Sequence, residues 1–166
     1  MNHQIFISIG SNIDRAVNTQ AAKTALEKHF SDLVCSQVYE SEAIGFKGAP
    51  FYNWVASATT SYAVTEVVST LKRIESENGR TRGLKKFASR TLDLDLLLYD
   101  NKVANEPVEL PRGEILYNAF VLQPLAEIAP DAIHPVCHKS FSRLWRDFDK
   151  TKQRLWPISF AWSNTK

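Results

Sequence analysis

Residues 90–99, with the sequence R-T-L-D-L-D-L-L-L-Y, limit the possible fold more than any other stretch of the chain. Leucine and aspartate alternate in its first half, and its second half is continuously apolar, which is typical of a strand with a buried face. Because successive side chains of a strand point to opposite faces, we expect the alternating leucines on one face and Asp93 and Asp95 on the other. The stretch therefore predicts a strand with one apolar and one acidic side.

The two aspartates of this strand would repel each other on a shared face. A divalent cation between Asp93 and Asp95 would relieve the repulsion, and paired aspartates on a rigid strand suit Mg²⁺ that carries phosphates. A sheet-edge strand with a solvated acidic face fits the same spacing, because D-x-D is a common sequence. The pair alone leaves both interpretations open.

The segment just before the strand is strongly basic. Residues 79–90 contain five lysines and arginines and no acidic residue. Such a run by itself is typical of a solvated or nucleic-acid-binding loop. Joined directly to the two aspartates, it predicts a cationic loop beside a metal site, which is an arrangement that handles polyphosphates. The combination favours phosphoryl chemistry.

The order of motifs along the chain resembles one enzyme family. E-x-x-x-G-R-x-R at 75–82, followed by R-T-L-D-L-D at 90–95, is similar to the 6-hydroxymethyl-7,8-dihydropterin pyrophosphokinases of folate biosynthesis. The similarity extends from about residue 4 to residue 135, and residues 136–166 are expected to form a C-terminal extension of a single domain. Its other parts are G-S-N at 10–12, P-F-Y-N at 50–53, Pro111, and F-V-L-Q-P-L-A-E-I-A-P at 120–130.

The predicted elements follow the order β-α-β-β-α-β. This is the ferredoxin-like unit, an antiparallel sheet with two helices on one face, and the resemblance implies the same α+β core with C-terminal additions. A turn that also caps the first helix is expected at 10–12. The core strands are predicted at 4–9, 33–41, 51–62 and 90–99. The first helix is predicted to end at about Phe30, and the second to span 64–74. Later elements are a short strand near Val103, a strand end leading into a helix at 120–128, and a helix at 140–148.

Size and composition agree with one globular domain. The 166 residues are 44% hydrophobic, which suffices for a core, and the net charge of +2 does not indicate a nucleic-acid partner. The sequence has neither an apolar run of about 20 residues nor an N-terminal secretion signal. We therefore expect a cytoplasmic monomer or weak dimer without a membrane partner. Cys35 and Cys137 match no disulfide or zinc pattern and are expected to be idle thiols.

The resemblance implies a reaction and a nucleotide site. The substrates would be ATP and 6-hydroxymethyl-7,8-dihydropterin, and AMP would leave as pyrophosphate moves to the hydroxymethyl oxygen. Asp93 and Asp95 would hold two Mg²⁺ ions on the triphosphate, while Arg80 and Arg90 would neutralise phosphate charge. These four residues form the implied catalytic set. The nucleotide would also contact Arg82, Phe87, Leu96 and Arg112.

The resemblance also implies a pterin site. The flat ring would lie between Phe51 and Phe120, with Asn53 and the backbone from Ser41 to Ile44 contacting its edge. A flat heteroaromatic ring needs an aromatic face and a few polar groups that fix its orientation. A lone Phe on a strand is nevertheless more typical of a core.

The chain departs from the family pattern at the nucleotide end. Residues 87–89 are F-A-S where the family has W-G-P, and Arg112 and Gly113 stand where it has histidine and an aromatic residue. Asn118 replaces an arginine. Arg112 could donate to the phosphates in place of the histidine, with a permanent charge. Alternatively, residues 111–113 form a surface turn whose arginine points to solvent.

Four functions are compatible with these patterns. An active pterin pyrophosphokinase is favoured; the others are a divergent paralogue acting on another pterin, a pterin- or nucleotide-binding protein without catalysis, and an RNA-binding ferredoxin-like domain. The aspartate pair argues against RNA binding, since without a metal Asp93 and Asp95 would repel phosphates.

Overall fold

The computed structural model describes residues 2–41, 50–78, 92–151 and 153–162. Strands and helices follow one another as two β-α halves, after which shorter helices and a last strand are added. The strands are β1 (His3–Ser11), β2 (Ser31–Cys35), β3 (Val38–Ser41), β4 (Phe51–Thr60), β5 (Asp93–Tyr99) and β6 (Leu155–Ile158). The helices are α1 (Arg15–His29), α2 (Val64–Glu77), a 3₁₀ turn (Gly113–Leu116), α3 (Ala119–Ile128) and α4 (Phe141–Asp147).

The described strands form one sheet in the order β5-β1-β4-β3-β6, and β2 pairs with the other end of β4. Their pairings are antiparallel. β1 lies between β4 and β5, which places the two β-α halves side by side. The predicted ferredoxin-like α+β core with C-terminal additions is confirmed.

The alternation along β1 places an apolar core on each face of the sheet. Ile5, Ile7 and Ile9 are at most 2% exposed and pack in one core with residues of α1 and α2. Phe6 points the other way and packs in a second core with residues of α3 and α4. Each fully buried side chain of this size stabilises the fold by about 1.5–3 kcal/mol. The leucines at 92, 94 and 96 lie in the first core, as the alternation predicted.

The predicted strand at 33–41 is in fact two strands, β2 and β3. The interruption lies at Ser36, whose Oγ accepts a hydrogen bond from the backbone N–H of Val55 at 3.0 Å and donates to the carbonyl oxygen of Gln37 at 2.8 Å. Because a side chain takes the place of a backbone acceptor, the ladder to β4 breaks there and resumes at Tyr39, which pairs with Asn53. The prediction of one continuous strand was wrong.

The predicted turn and helix cap at 10–12 was also wrong. Gly10 and Ser11 belong to β1, and α1 begins only after Asp14, which has a φ of 44°. Aspartate tolerates this left-handed conformation better than most residues. The Oγ of Ser11 donates to the carbonyl oxygen of Ile13 at 3.1 Å instead of accepting from the helix. The chain therefore reverses at Asp14, four residues beyond Gly10.

Two expectations for the later part of the chain need correction. Phe120 was expected at a strand end, but it is the second residue of α3. The short strand expected near Val103 is a single bridge between Ala104 and Leu110. The helix predicted at 140–148 is confirmed as α4, and the Oγ of Ser140 caps it by accepting from the N–H of Arg143 at 3.2 Å.

The C-terminal tail extends the sheet. β6 pairs with β3, and beyond it Trp162 packs edge-on against Trp54 with ring centroids 5.2 Å apart. Phe160 makes a similar contact with Tyr52 at 6.1 Å. Phe160 and Trp162 of the tail therefore pack on the sheet. None of the helices in the described ranges combines the length and apolarity needed to cross a membrane.

The thiol of Cys35 allows a test of this packing. Cys35 is free, lies half-buried on β2 and packs against the first core. Burial raises its pKa to about 11, whereas Lys23 lowers it and Glu27 raises it slightly. The thiolate is the reactive form, and at pH 8 only about one thiol in a thousand is ionised at such a pKa. We expect iodoacetamide to alkylate Cys35 far more slowly in the folded protein than in urea, as followed by mass spectrometry; equal rates would contradict this burial.

Candidate active site

A cavity of about 570 Å³ opens on the α3 side of the sheet and continues around the β5 edge to α2. Its walls come from β1, β3, β4, β5, α2, α3 and the segment before the 3₁₀ turn. It brings together each of the predicted site residues that the structure describes, namely Ser41, Phe51, Asn53, Asp93, Asp95, Leu96, Arg112 and Phe120. The other predicted site residues, Ile44, Arg80, Arg82, Phe87 and Arg90, lie outside the described residues.

Asp93 and Asp95 lie at the start of β5 and share the cavity face. In the pairing with β1 they stand opposite Gly10 and Ser8, whose small side chains leave open space beside the carboxylates. Both aspartates are partly exposed, and 38% of the Asp95 side chain is accessible. The predicted acidic face of this strand therefore borders the cavity.

Glu75 supports the peptide between the two aspartates. Its Oε2 accepts a hydrogen bond from the backbone N–H of Leu94 at 2.7 Å, and the residue is 8% exposed. β5 is at the sheet edge, so this N–H is bonded by a side chain of α2 and not by another strand. Glu75 heads the E-x-x-x-G-R-x-R motif, and its position there was the available signal for a role that sequence reasoning missed.

Arg112 points into the site and not to solvent. Its Nη2 lies 3.5 Å from Oδ1 of Asp95, and its Nε donates to Oε1 of Glu114 at 2.8 Å. Burial by itself lowers the pKa of the guanidinium, but the attraction of Asp95 and the hydrogen bond to Glu114 raise it more, so the net pKa is above its usual value. The alternative of a solvent-facing turn is therefore wrong.

Glu114 connects Arg112 to Asn118, which also departs from the family pattern. While its Oε1 accepts from Arg112, its Oε2 accepts from Nδ2 of Asn118 at 2.8 Å. Sequence reasoning missed Glu114, although residues four apart in a helical segment are neighbours and a Glu–Asn pair at this spacing is a signal. The Glu114 carboxylate thus connects Arg112 and Asn118, two residues that depart from the family pattern, in one polar network.

The predicted pterin end of the cavity combines a buried amide with two aromatic side chains. Asn53 is 7% exposed, and its Nδ2 donates to Oγ of Ser41 at 2.7 Å. Phe51 from β4 and Phe120 from α3 both line the cavity, and Phe120 also packs against the second core. The cavity therefore offers aromatic faces from two elements and an amide held in one orientation.

The fold and the site define a class of protein: an α+β chain of ferredoxin-like topology whose ligand cavity joins aromatic faces to a pair of strand carboxylates. Residues 6–130 match the family described as 7,8-dihydro-6-hydroxymethylpterin-pyrophosphokinase (HPPK). The chain belongs to this family.

Two curated relatives support the same family assignment. The 2-amino-4-hydroxy-6-hydroxymethyldihydropteridine pyrophosphokinase of Synechocystis is 35% identical over 161 residues, which cover 95% of this chain and 81% of the relative. The enzyme of the same name from Haemophilus influenzae is 36% identical over 135 residues, covering 78% of this chain and 84% of that one.

The structural comparison supports the fold. The HPPK-DHPS crystal structure from Plasmodium falciparum with pteroate superposes with a TM-score of 0.72 at 12% identity. The match covers 88% of this chain but 42% of the Plasmodium chain, so this chain spans less than half the length of that chain. At 12% identity the similarity bears on the fold alone.

Gly10 allows a test of the pterin end. A Cβ atom at this position would lie 3.1 Å from Oδ1 of Asn53 and 3.7 Å from Cδ2 of Phe51. Asn53 is buried and held by Ser41, so it cannot move away freely. We expect Gly10→Ala to lower the free energy of unfolding by about 1–3 kcal/mol through overpacking and to weaken pterin binding. Thermal unfolding and calorimetric titration with the pterin measure the two effects.

Gly113→Ala is the matched control for stability. Its Cβ would also lie 3.1 Å from an oxygen, Oε1 of Glu109. This is the end of an exposed side chain, which can rotate away at the cost of one exposed hydrogen bond from the N–H of Gly113 at 3.0 Å. We expect a smaller loss of stability than for Gly10→Ala. Equal losses in the two variants would contradict the view that Asn53 is held rigidly.

Proposed function

We propose that the protein transfers pyrophosphate from ATP to the hydroxymethyl group of 6-hydroxymethyl-7,8-dihydropterin and releases AMP, in folate biosynthesis. Family membership over residues 6–130 supports this activity. The observation that carries the proposal is that one cavity holds the aspartate pair and the aromatic and amide side chains together. The relatives described above bear this enzyme's name, which favours it over a paralogue with another pterin and over a protein without catalysis.

The donor set at the acidic end fits Mg²⁺. Within the described ranges, His, Cys, Asp and Glu form no group of three or more that could hold a metal ion. Mg²⁺ bound with a nucleotide usually takes one or two carboxylates and completes its coordination with water and phosphate oxygens. Asp93 and Asp95 supply such a pair, and they would hold the two Mg²⁺ ions expected with ATP. The metal, when bound, neutralises charge that develops on the phosphates.

At the pterin end, the side chains bind and orient the acceptor. Phe51 and Phe120 provide apolar faces for a flat ring, and Asn53, held by Ser41, provides a polar edge contact. An amide that already has one fixed hydrogen bond cannot rotate without losing it, so it favours one orientation of the ring. The hydroxymethyl group would then be directed along β1 and β5 toward the aspartates.

At the nucleotide end, Arg112 and Lys72 are described cations that line the cavity, and Arg112 contacts Asp95. Its 2.8 Å hydrogen bond to Glu114 has good geometry, whereas 3.5 Å to Asp95 is a longer ionic contact. Glu114 therefore fixes the guanidinium, and the side turned to Asp95 is available to a phosphate. Arg80, Arg82, Phe87 and Arg90 remain predicted contributors to the nucleotide site.

The chemistry requires little covalent participation by the protein. The hydroxymethyl oxygen forms a bond to the β-phosphorus of ATP, the bond from that phosphorus to the oxygen of the α-phosphate breaks, and AMP leaves with that oxygen. The hydroxyl proton is released. Positioning the two substrates in line and stabilising the phosphate charge provide most of the acceleration in such transfers. A cytoplasmic location, a monomer or weak dimer, and the lack of a nucleic-acid partner remain predictions.

The direct test is AMP formation from ATP, Mg²⁺ and the pterin. We expect the wild-type protein to release one AMP per pterin converted and to stop when EDTA removes the metal. Asp95→Asn keeps the side-chain shape but removes the charge. Since metal stabilisation of phosphate charge contributes several kcal/mol, we expect kcat to fall at least about a hundredfold.

Asp131→Asn is the control for that variant, because Asp131 is exposed and does not line the cavity. We expect it to keep wild-type AMP formation and both variants to unfold near the wild-type temperature. A fully active Asp95→Asn protein would refute the metal role of Asp95, and an inactive wild-type protein would refute the function itself.

Arg112 gives a separate prediction for the nucleotide end. We expect Arg112→Ala to weaken ATP binding by about 1.5–3 kcal/mol, the range for a hydrogen bond to a charged group. The raised pKa keeps the guanidinium charged between pH 6 and pH 8, so the contribution of this residue should not change over that interval. Calorimetry with ATP and Mg²⁺, without the pterin, measures it.

Arg112→Lys retains the charge but not the planar fork of donors, so it should recover only part of the lost affinity. Unchanged ATP affinity in Arg112→Ala would place this residue outside the nucleotide site, despite its contact with Asp95.

A further inference from the structure

Gln153, in the C-terminal segment, bonds to the start of α3 with both ends of its amide. Its Oε1 accepts from the backbone N–H of Ala119 at 2.5 Å. Its Nε2 donates to the carbonyl oxygen of Tyr117 and to Oδ1 of Asn118, both at 3.2 Å. The first N–H groups of a helix have no partner within the helix. Asn118 precedes α3 but makes no side-chain cap, so Gln153 supplies one from the C-terminal tail.

Asn118 does not cap the helix because its Oδ1, the atom that would accept from the helix N–H groups, already accepts from Nε2 of Gln153 at 3.2 Å. Its Nδ2 donates to Glu114, whose second oxygen accepts from Arg112, and Arg112 faces Asp95 at 3.5 Å. A continuous chain of polar contacts therefore runs from Gln153 to the aspartate pair. A change at Gln153 reaches Arg112 through two hydrogen-bonded side chains.

Gln153 also contacts the helix start from which Phe120 enters the cavity. Phe120 directly follows Ala119 and projects from the first turn of α3 into the cavity. An unbonded first N–H allows the end of a helix to fray. Because Gln153 bonds the N–H of Ala119, it sets the position from which Phe120 enters the cavity.

Gln153 is itself tied to the sheet. Two residues later β6 begins, and Leu155 pairs with Ser41 of β3. Trp156 donates from Nε1 to Oε1 of Glu40 at 2.9 Å, also on β3. The tail therefore joins the strand that carries Ser41 to the helix that carries Phe120, and Gln153 is the side chain that makes the second connection.

We propose that Gln153 is a positioning residue for pyrophosphoryl transfer. It does not line the cavity; it sets Phe120 through the N–H of Ala119 and Arg112 through Asn118 and Glu114. The proposal rests on the proposed function, since it assigns Phe120 to the pterin and Arg112 to the nucleotide. It predicts that one residue outside the cavity affects both substrates by two separable routes.

Two substitutions separate the routes. Methionine has a similar length but cannot replace these hydrogen bonds, so Gln153→Met removes the bond to Ala119 as well as the bond to Asn118. Gln153→Glu keeps an acceptor for the N–H of Ala119, but a carboxylate cannot donate to Asn118 or to the carbonyl oxygen of Tyr117. Thr151→Val is the matched control, because Thr151 lies in the same tail and, within the described part of the chain, bonds to Asp149 and not to α3.

The measurements are kcat, KM for each substrate, pterin affinity by calorimetry, and the unfolding temperature. For Gln153→Met we expect about a tenfold loss of kcat/KM with both substrates, because small misplacements of binding groups have effects of this order. For Gln153→Glu we expect a pterin KM near the wild-type value and a raised KM for ATP. Thr151→Val should behave as the wild type.

A role limited to stability would lower the unfolding temperature of both Gln153 variants and leave kcat and both KM values unchanged, and this result would overturn the proposal. Equal losses in Thr151→Val would overturn it as well, because the effect would then belong to the tail in general. An inactive wild-type protein would remove the proposed function, whereas an active wild-type protein with unaffected Gln153 variants removes only this role.

Discussion

The pairing of β1 with both of its neighbours is the constraint on which the site depends. Gly10 stands opposite Asn53 of β4 on one side and opposite Asp93 of β5 on the other. The register of one strand therefore places the Asn53 amide and the Asp93 carboxylate on either side of a residue without a side chain. A slip of one residue would turn every side chain of a strand to the opposite face. The fully buried Ile5 and Ile7 prevent such a slip, because they would have to leave the first core.

Charge balance at the sheet edge is the second requirement. Among the described residues, the carboxylates of Glu75, Asp93, Asp95 and Glu114 line the cavity, and they would repel one another in the absence of donors. Donors to three of them are described: the N–H of Leu94 bonds to Glu75, and Arg112 lies between Asp95 and Glu114. An arginine keeps its charge over the whole physiological pH range, so its own contribution to the balance does not depend on pH. This gives a physical reason why arginine can occupy a position where the resembled family has a histidine.

The later part of the chain contacts the site from outside residues 6–130, which match the family. The family match ends at residue 130, but Gln153 bonds to the start of α3 and β6 extends the sheet beside β3. Trp162 covers Trp54 on the opposite face of the sheet. The tail thus contacts both the first core and the elements that carry the cavity side chains, and it adds rigidity where α3 would otherwise begin without a cap.

The sequence by itself determined the α+β class, the family, and the faces of β1 and β5, because the period of apolar residues reports which side of a strand is buried. It also identified Asp93, Asp95, Phe51, Asn53 and Phe120 as members of one motif set, and the structure places them around one cavity. Only the tertiary structure decided that residues 33–41 divide at Ser36, that Arg112 turns to Asp95, and that Gln153 caps α3. Each of these depends on a hydrogen bond or ion pair between residues far apart in the chain, and no local pattern specifies such a partner.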